Sequence, residues 1–265
     1  MNTHKISITE ITDQLLSLKE SGVVGIKQSF EDEGVILEDV ARIKRLCDKL
    51  ELKLNIKIGG CEAISDINNC LSLDASGVVA PMVESEFALE KFVESIIANT
   101  NDKDRSLIDF FINIESKTSI ENLDKILSSP SSKLLKGIVV GRSDLTKSYG
   151  YGKQEVNSQE ICEIVKNTFK EAKAFNFTTT MGGNIGNSSR AFIEEMMNAG
   201  LLDKIETRNV IVDLAKSGTN RMDELIKNAL LFESQWMQYK AQIYNDIGES
   251  YIKRSKLILD RISLD

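Results

Sequence analysis

Short apolar runs alternate along most of this chain with longer stretches whose apolar residues recur every three or four positions. The runs read as buried strands and the periodic stretches as amphipathic helices. Ser7-Ile8-Thr9-Glu10 forms a capping box that opens a helix to about Glu20, stopped by Gly22. Residues 23–30 (VVGIKQSF) follow as a strand, and Ile36, Val40, Ile43, Cys47 and Leu50 mark the next helix. The order then repeats. Strands are expected at 53–60, 77–84, 107–116, 137–140 and 177–183, and helices at 64–72, 87–98, 120–127, 158–174 and 188–198. Residues 99–104 read as a polar turn, and 204–212 (KIETRNVIV) is the last strand-like stretch.

Alternation at this spacing predicts parallel strands joined by crossover helices. Nearly every strand ends in a polar or glycine cluster, so one rim carries the chemistry. That is the pattern of a TIM (β/α)8 barrel, with an open doubly wound sheet as the alternative. The eighth strand is either residues 3–6 or 209–212 split from 204–207. The barrel domain is expected to span 1–216 and a helical extension 217–265. In that extension Leu225, Ala229, Phe232, Trp236, Tyr239 and Ile243 form one stripe. Such a stripe needs cover, either from its own barrel or from another subunit in a homo-oligomer.

Composition narrows the class. With 265 residues, 42% hydrophobic and 28% charged, the chain can bury a sizeable core and is not disordered. No apolar run approaches the roughly 20 residues of a membrane span. The start, MNTHKISITE, carries neither a secretory nor an Arg-rich presequence, so a cytoplasmic location is expected. A net charge of -7 without a basic cluster argues against a nucleic-acid partner. Cys47, Cys61, Cys70 and Cys162 lack CxxC spacing and read as free thiols. His4, in the terminal tail, is the single histidine, which all but excludes His-based catalysis and His-rich metal sites.

The remaining candidates are carboxylates and cations at strand ends. The run FFINIES ends with Glu115, and GIVV stops at Gly141-Arg142-Ser143-Asp144. On neighbouring strands, Glu115 and Asp144 stand close enough to share a hard divalent cation, Mg2+ first, with Mn2+ or Co2+ as alternatives. On the pattern alone a helix-cap role is the stronger reading for each acid. Arg142 offers a bidentate grip on a substrate carboxylate, with Ser143 beside it. Gly59-Gly60 and Gly182-Gly183 end strands, where the backbone either approaches a substrate or simply turns. Glu84 lies at a rim. Glu206 and Arg208 alternate on one strand face, as a substrate clamp or an ion pair. No dinucleotide or P-loop fingerprint follows any strand.

Three segments then resemble one family in order and spacing: 79–85 (VAPMVES), 112–126 (INIESKTSIENLDKI) and 137–150 (GIVVGRSDLTKSYG). From Gly25 to Asp213 the chain resembles the class II 2-keto-3-deoxy acid aldolase and citrate lyase beta-subunit family, HpcH/HpaI. The resemblance implies a TIM barrel with Glu115 and Asp144 as metal ligands. It further implies a carbon–carbon lyase acting on a 2-oxo acid, with the metal as Lewis acid for a pyruvate-like enolate. A thioester lyase like the citrate lyase beta subunit, or a metal-binding barrel without turnover, are the other readings. Two positions depart from the family. Its strand-borne Arg is matched by Lys57, and the segment that often carries its His reads Lys27-Gln28-Ser29-Phe30-Glu31-Asp32-Glu33. Lys57 and Arg142 are therefore expected to hold the anionic substrate. Lys27, Glu31, Asp32, a metal-bound water and the substrate's own groups are the candidates for proton transfer.

Overall fold

The computed structural model describes residues 5–31, 35–217 and 221–262. The chain alternates as the apolar pattern requires: α1 (Ile8–Glu20), β1 (Val23–Ser29), α2 (Leu37–Lys49), β2 (Lys53–Lys57), α3 (Ile64–Ser72), β3 (Gly77–Ala80) and α4 (Glu86–Asn99). There follow α5 (Asp102–Leu107), β4 (Asp109–Ile114), α6 (Lys117–Glu121), α7 (Leu123–Ser128), β5 (Leu135–Gly141), α8 (Arg142–Ser148) and α9 (Gln159–Ala174). The last elements are β6 (Thr178–Gly182), α10 (Arg190–Asn198), β7 (Lys204–Glu206), β8 (Val210–Asp213), α11 (Leu214–Ser217) and α12 (Met222–Ile262). The expected polar turn at 99–104 holds the start of α5, because Asn101 and Asp104 form a reciprocal capping box.

The strands close into a barrel in the order β1 to β8, so the TIM-type α/β barrel is the fold. Strands β1 to β7 pair parallel, whereas β8 runs antiparallel to both β7 and β1. The reason is loop length. Only Thr207, Arg208 and Asn209 separate β7 from β8, and a parallel crossover needs a dozen or more residues. This settles the eighth strand: it is the second half of the 204–212 stretch. Residues 5–7 are not strand, and residues 3 and 4 lie outside the described residues.

With no helix between β7 and β8, one slot of the outer ring is left to α12, which packs along α1. Met222, Leu225, Ile226, Ala229, Phe232 and Trp236 bury its first half. Farther along, Tyr244 donates to the carboxylate of Asp39 on α2, and Lys5 pairs with Asp246 at 3.2 Å. Beyond that pair, Ile247, Tyr251, Ile252, Ile258 and Ile262 are exposed.

The main core lies between sheet and helices. Inside the barrel a small separate cluster of Val79, Phe111 and Val139 forms a plug. Charged pairs lie on either side of it. Lys53 and Asp109 meet at 2.8 Å where the parallel strands begin. The candidate site lies where they end.

Candidate active site

Strand β4 alternates Asp109, Phe111, Asn113 and Glu115 toward the barrel axis, by the period of two. Glu115 follows the last strand residue and is only 2% exposed. Its Oε1 accepts from the Met82 amide at 3.1 Å, and its Oε2 from Asn113 Nδ2 at 2.8 Å. Met82 holds φ at 50°. A left-handed methionine costs about 1–3 kcal/mol, and this one aims its amide at the carboxylate.

Across the mouth, Lys57 ends β2. Its Nζ is 2.6 Å from Glu31 and 3.5 Å from Glu115 Oε1. Burial favours its neutral form, but the carboxylates of Glu115 and Glu31, with Asp144 behind them, more than offset this and hold its pKa above the usual lysine value. Burial pushes the Glu115 carboxyl up, and Asp144 adds to the rise, against the opposing pull of Lys57, Asn113 and the Met82 amide.

Glu115, Lys57 and Asp144 line one cavity of about 360 Å3. Asp144 sits in the first turn of α8, directly after β5, with Ser143 beside it on the same wall. Gly183 is also a wall residue. It takes φ +79°, and a Cβ there would lie 2.5 Å from the Ser143 amide, so the close approach it serves is to α8. Lys27 on β1 is a wall residue paired with Glu206 of β7, and Arg208 stands exposed at the rim.

Other expected site residues stand elsewhere. Arg142 is fully buried and faces away from the cavity. It donates to the carbonyls of Gly182 (3.2 Å) and Gly183 (3.0 Å), to Asn157 (2.8 Å) and to Ser189 (3.2 Å). The expected grip on a substrate is thereby corrected: this guanidinium staples the loop after β6 to α8. Gly59 and Gly60 are not wall residues either, and the Gly59 amide donates to Asp66 at 2.7 Å. Glu84 accepts from Ser116 Oγ at 2.5 Å and so braces the residue after Glu115. Glu31 touches Lys57 from outside the wall. Asp32 and Glu33 lie outside the described residues.

The cavity also holds residues the sequence pattern left unmarked. Lys153 lines it, as does Glu233 of α12, which is 8% exposed. The Glu233 carboxylate accepts from Thr207 Oγ1 at 2.5 Å and the Asn209 amide at 2.6 Å, clamping the β7–β8 turn. Its pKa is raised by burial, against the pull of those donors. A signal for it existed: it stands four residues after Ala229 and three before Trp236, a charge on the buried stripe.

The donors in the cavity suit a hard divalent cation. Four carboxylates line the wall, Glu115 and Asp144 from successive strand ends among them, and Asn113 Oδ1 is buried there without a hydrogen-bond partner. No group of three or more His, Cys, Asp or Glu side chains fit to hold a metal occurs among the described residues. A cation here would therefore complete its shell with water or substrate oxygens.

The HpcH/HpaI aldolase/citrate lyase family model matches residues 51–199, more than half of the chain and the span that carries Lys57, Glu115 and Asp144. The chain belongs to the HpcH/HpaI aldolase/citrate lyase family. The fold recurs in solved structures. An HpcH/HpaI aldolase from Desulfitobacterium hafniense DCB-2 matches with TM-score 0.57 at 12% identity, over 72% of this chain and 80% of that one. The citrate synthase SbnG matches with TM-score 0.59 at 16% identity, over 93% and 90%. A family protein from Burkholderia cenocepacia J2315 matches with TM-score 0.59 at 16% identity, over 76% and 84%. Comparison with curated proteins gives no match. An enzyme of the lyase type follows from the family.

Proposed function

We propose that this HpcH/HpaI member is a divalent-metal-dependent carbon–carbon lyase of the aldolase type, which cleaves or forms a 2-oxo acid through a pyruvate-like enolate. One observation carries the reading: Glu115 and Asp144, from successive strand ends, line one cavity with Lys57, whose ammonium is 3.5 Å from Glu115. Glu115, Asp144 and the Asn113 amide oxygen would hold the cation, with Mg2+ first and Mn2+ or Co2+ as alternatives. When bound, it supplies a Lewis acid for the oxo group.

The chain's own groups do the rest. Lys57 stays protonated, because its pKa lies above the ordinary value. It acts as a fixed positive charge on the developing enolate oxygen and not as an amine nucleophile. Pre-placed charges of this kind are worth about 3–4 kcal/mol each. Lys153 and Arg208 bring further positive charge to the cavity for the anionic substrate. About 360 Å3 suits a small oxo acid, which favours the free acid over a coenzyme A thioester.

No helix is long and apolar enough to cross a membrane among the described residues, and a cytoplasmic location fits the lyase reading. The exposed apolar residues of α12 after Asp246 suit a homo-oligomer contact.

Manganese titration followed by electron paramagnetic resonance tests the reading. The intact protein is expected to bind Mn2+ and to exchange the methyl protons of pyruvate for deuterium. Glu115→Gln is expected to weaken Mn2+ binding at least tenfold and to abolish exchange. A variant that keeps both would overturn the assignment, and Mn2+ binding without exchange would point to a barrel that holds metal but has lost turnover.

A further inference from the structure

The family-like histidine base is absent, yet an enolate needs a group that removes and returns a carbon-bound proton. We infer that Glu206 is the proton-transfer carboxylate of this cavity, held in place by Lys27. The inference rests on the lyase reading above. Two glycines carry it. Gly141 and Gly182 face each other in register on β5 and β6. A Cβ on Gly141 would lie 2.5 Å from Glu115 Oε2, and one on Gly182 would lie 3.0 Å from Glu206 Oε1. The two carboxylates thus lie over adjacent glycines, on strands about 4.8 Å apart, and both line the cavity.

Elimination points the same way. Among the acids of the cavity wall, Glu115 and Asp144 are assigned to the cation, and Glu233 clamps Thr207 and Asn209. Glu206 remains. Its Oε1 accepts from Lys27, both side chains being largely buried, at 6% and 15% exposure. Its Oε2 accepts no hydrogen bond among the described residues.

The step balances without a further reactant. The carboxylate takes a proton from the carbon next to the oxo group. The C–H pair becomes the C=C bond of the enolate, and the carbonyl π pair moves to the oxo oxygen. Glu206 is then a neutral acid, and return of its proton restores both partners. Lys27 keeps its own proton and fixes the rotamer.

Deuterium exchange into pyruvate, with Mn2+ affinity measured in parallel on the full chain, tests this. Glu206→Gln and Glu206→Ala are each expected to slow exchange at least 100-fold, with Mn2+ affinity within about twofold of wild type. Added formate is expected to restore exchange to Glu206→Ala in proportion to its concentration, which a structural residue would not allow. Exchange by Glu206→Gln within threefold of wild type overturns the inference alone. So does a parallel loss of Mn2+ affinity, or a Glu206→Ala that ignores formate. A wild type that binds Mn2+ without exchanging overturns the lyase reading and this inference together.

Discussion

Glu115 and Asp203 each sit beside a lysine, at opposite mouths of one barrel, and their carboxyl groups are pushed in opposite directions. Glu115 has a 3% exposed side chain with the nearest ammonium 3.5 Å away, and burial raises its pKa. Asp203 is 40% exposed. Burial pushes it up too, but Lys173 at 2.5 Å and the amide and hydroxyl of Thr179 more than offset this and hold it below the ordinary aspartate value. A carboxylate with close donors and some water stabilises the fold. Glu115 is kept dry with its ammonium at arm's length and only the Met82 amide and Asn113 donating to it, which on the proposed reading leaves it attraction for a cation. Both mouths have a cavity, about 360 Å3 beside Glu115 and about 570 Å3 beside Asp203, so what separates them is the raised carboxyl and the raised lysine that converge on the first.

Substitutions can break this contrast. The largest effect is expected from Arg142, which lies at the mouth of the candidate site but is hydrogen-bonded throughout, like Asp203. Burial lowers its pKa to about 10, and removal strands several buried acceptors. Arg142→Ala is expected to lose about 3 kcal/mol in urea unfolding. Asp203→Asn comes next, with a loss of about 1–2 kcal/mol. Because the folded pKa is depressed, that loss is full above the ordinary aspartate value of 3.8 and fades as pH falls through the folded pKa. Stability measured from pH 7 to pH 2.5 checks the sign.

Glu233→Ala is expected to cost about 1 kcal/mol and to raise KM, since the turn bearing Arg208 loses its clamp. Glu233→Gln keeps an accepting oxygen and is expected to do less of both. The smallest effect is the sharpest. Metal-free Glu115→Gln at neutral pH is expected to melt at or slightly above the wild-type temperature, and Mn2+ is expected to raise Tm only in the wild type. Destabilisation by both Asp203→Asn and metal-free Glu115→Gln would erase the contrast between the mouths.

The barrel was legible because burial on both strand faces leaves continuous apolar runs, and helices leave a different period. The hairpin was hard to see because Thr207-Arg208-Asn209 contains no glycine, so KIETRNVIV reads as one strand. Strand β3 ends at Ala80, earlier than its apolar run, since Pro81 has no amide to donate and Met82 turns left-handed. In the site, Glu115 and Asp144 could be read off as acids closing successive runs. Arg142 could not: it also follows a strand, but α8 begins there and turns the side chain behind the wall. Gly59-Gly60 looked like Gly182-Gly183, yet only the second pair approaches α8 and Glu206. Asn113 was recoverable from the two-residue period, and Glu233 from its place among buried neighbours.

Because β8 runs backward, the polypeptide quits the barrel at the end remote from the candidate site. It must climb the full height of the wall before Leu230 and Glu233 meet the cavity. At about 1.5 Å per residue, the 41 residues of α12 span about 60 Å, well over that height. Trimming from the C-terminus therefore has a threshold. Cuts beyond Asp246 shorten a largely exposed stretch of helix, whereas a cut before Glu233 takes away part of the roof over the cavity.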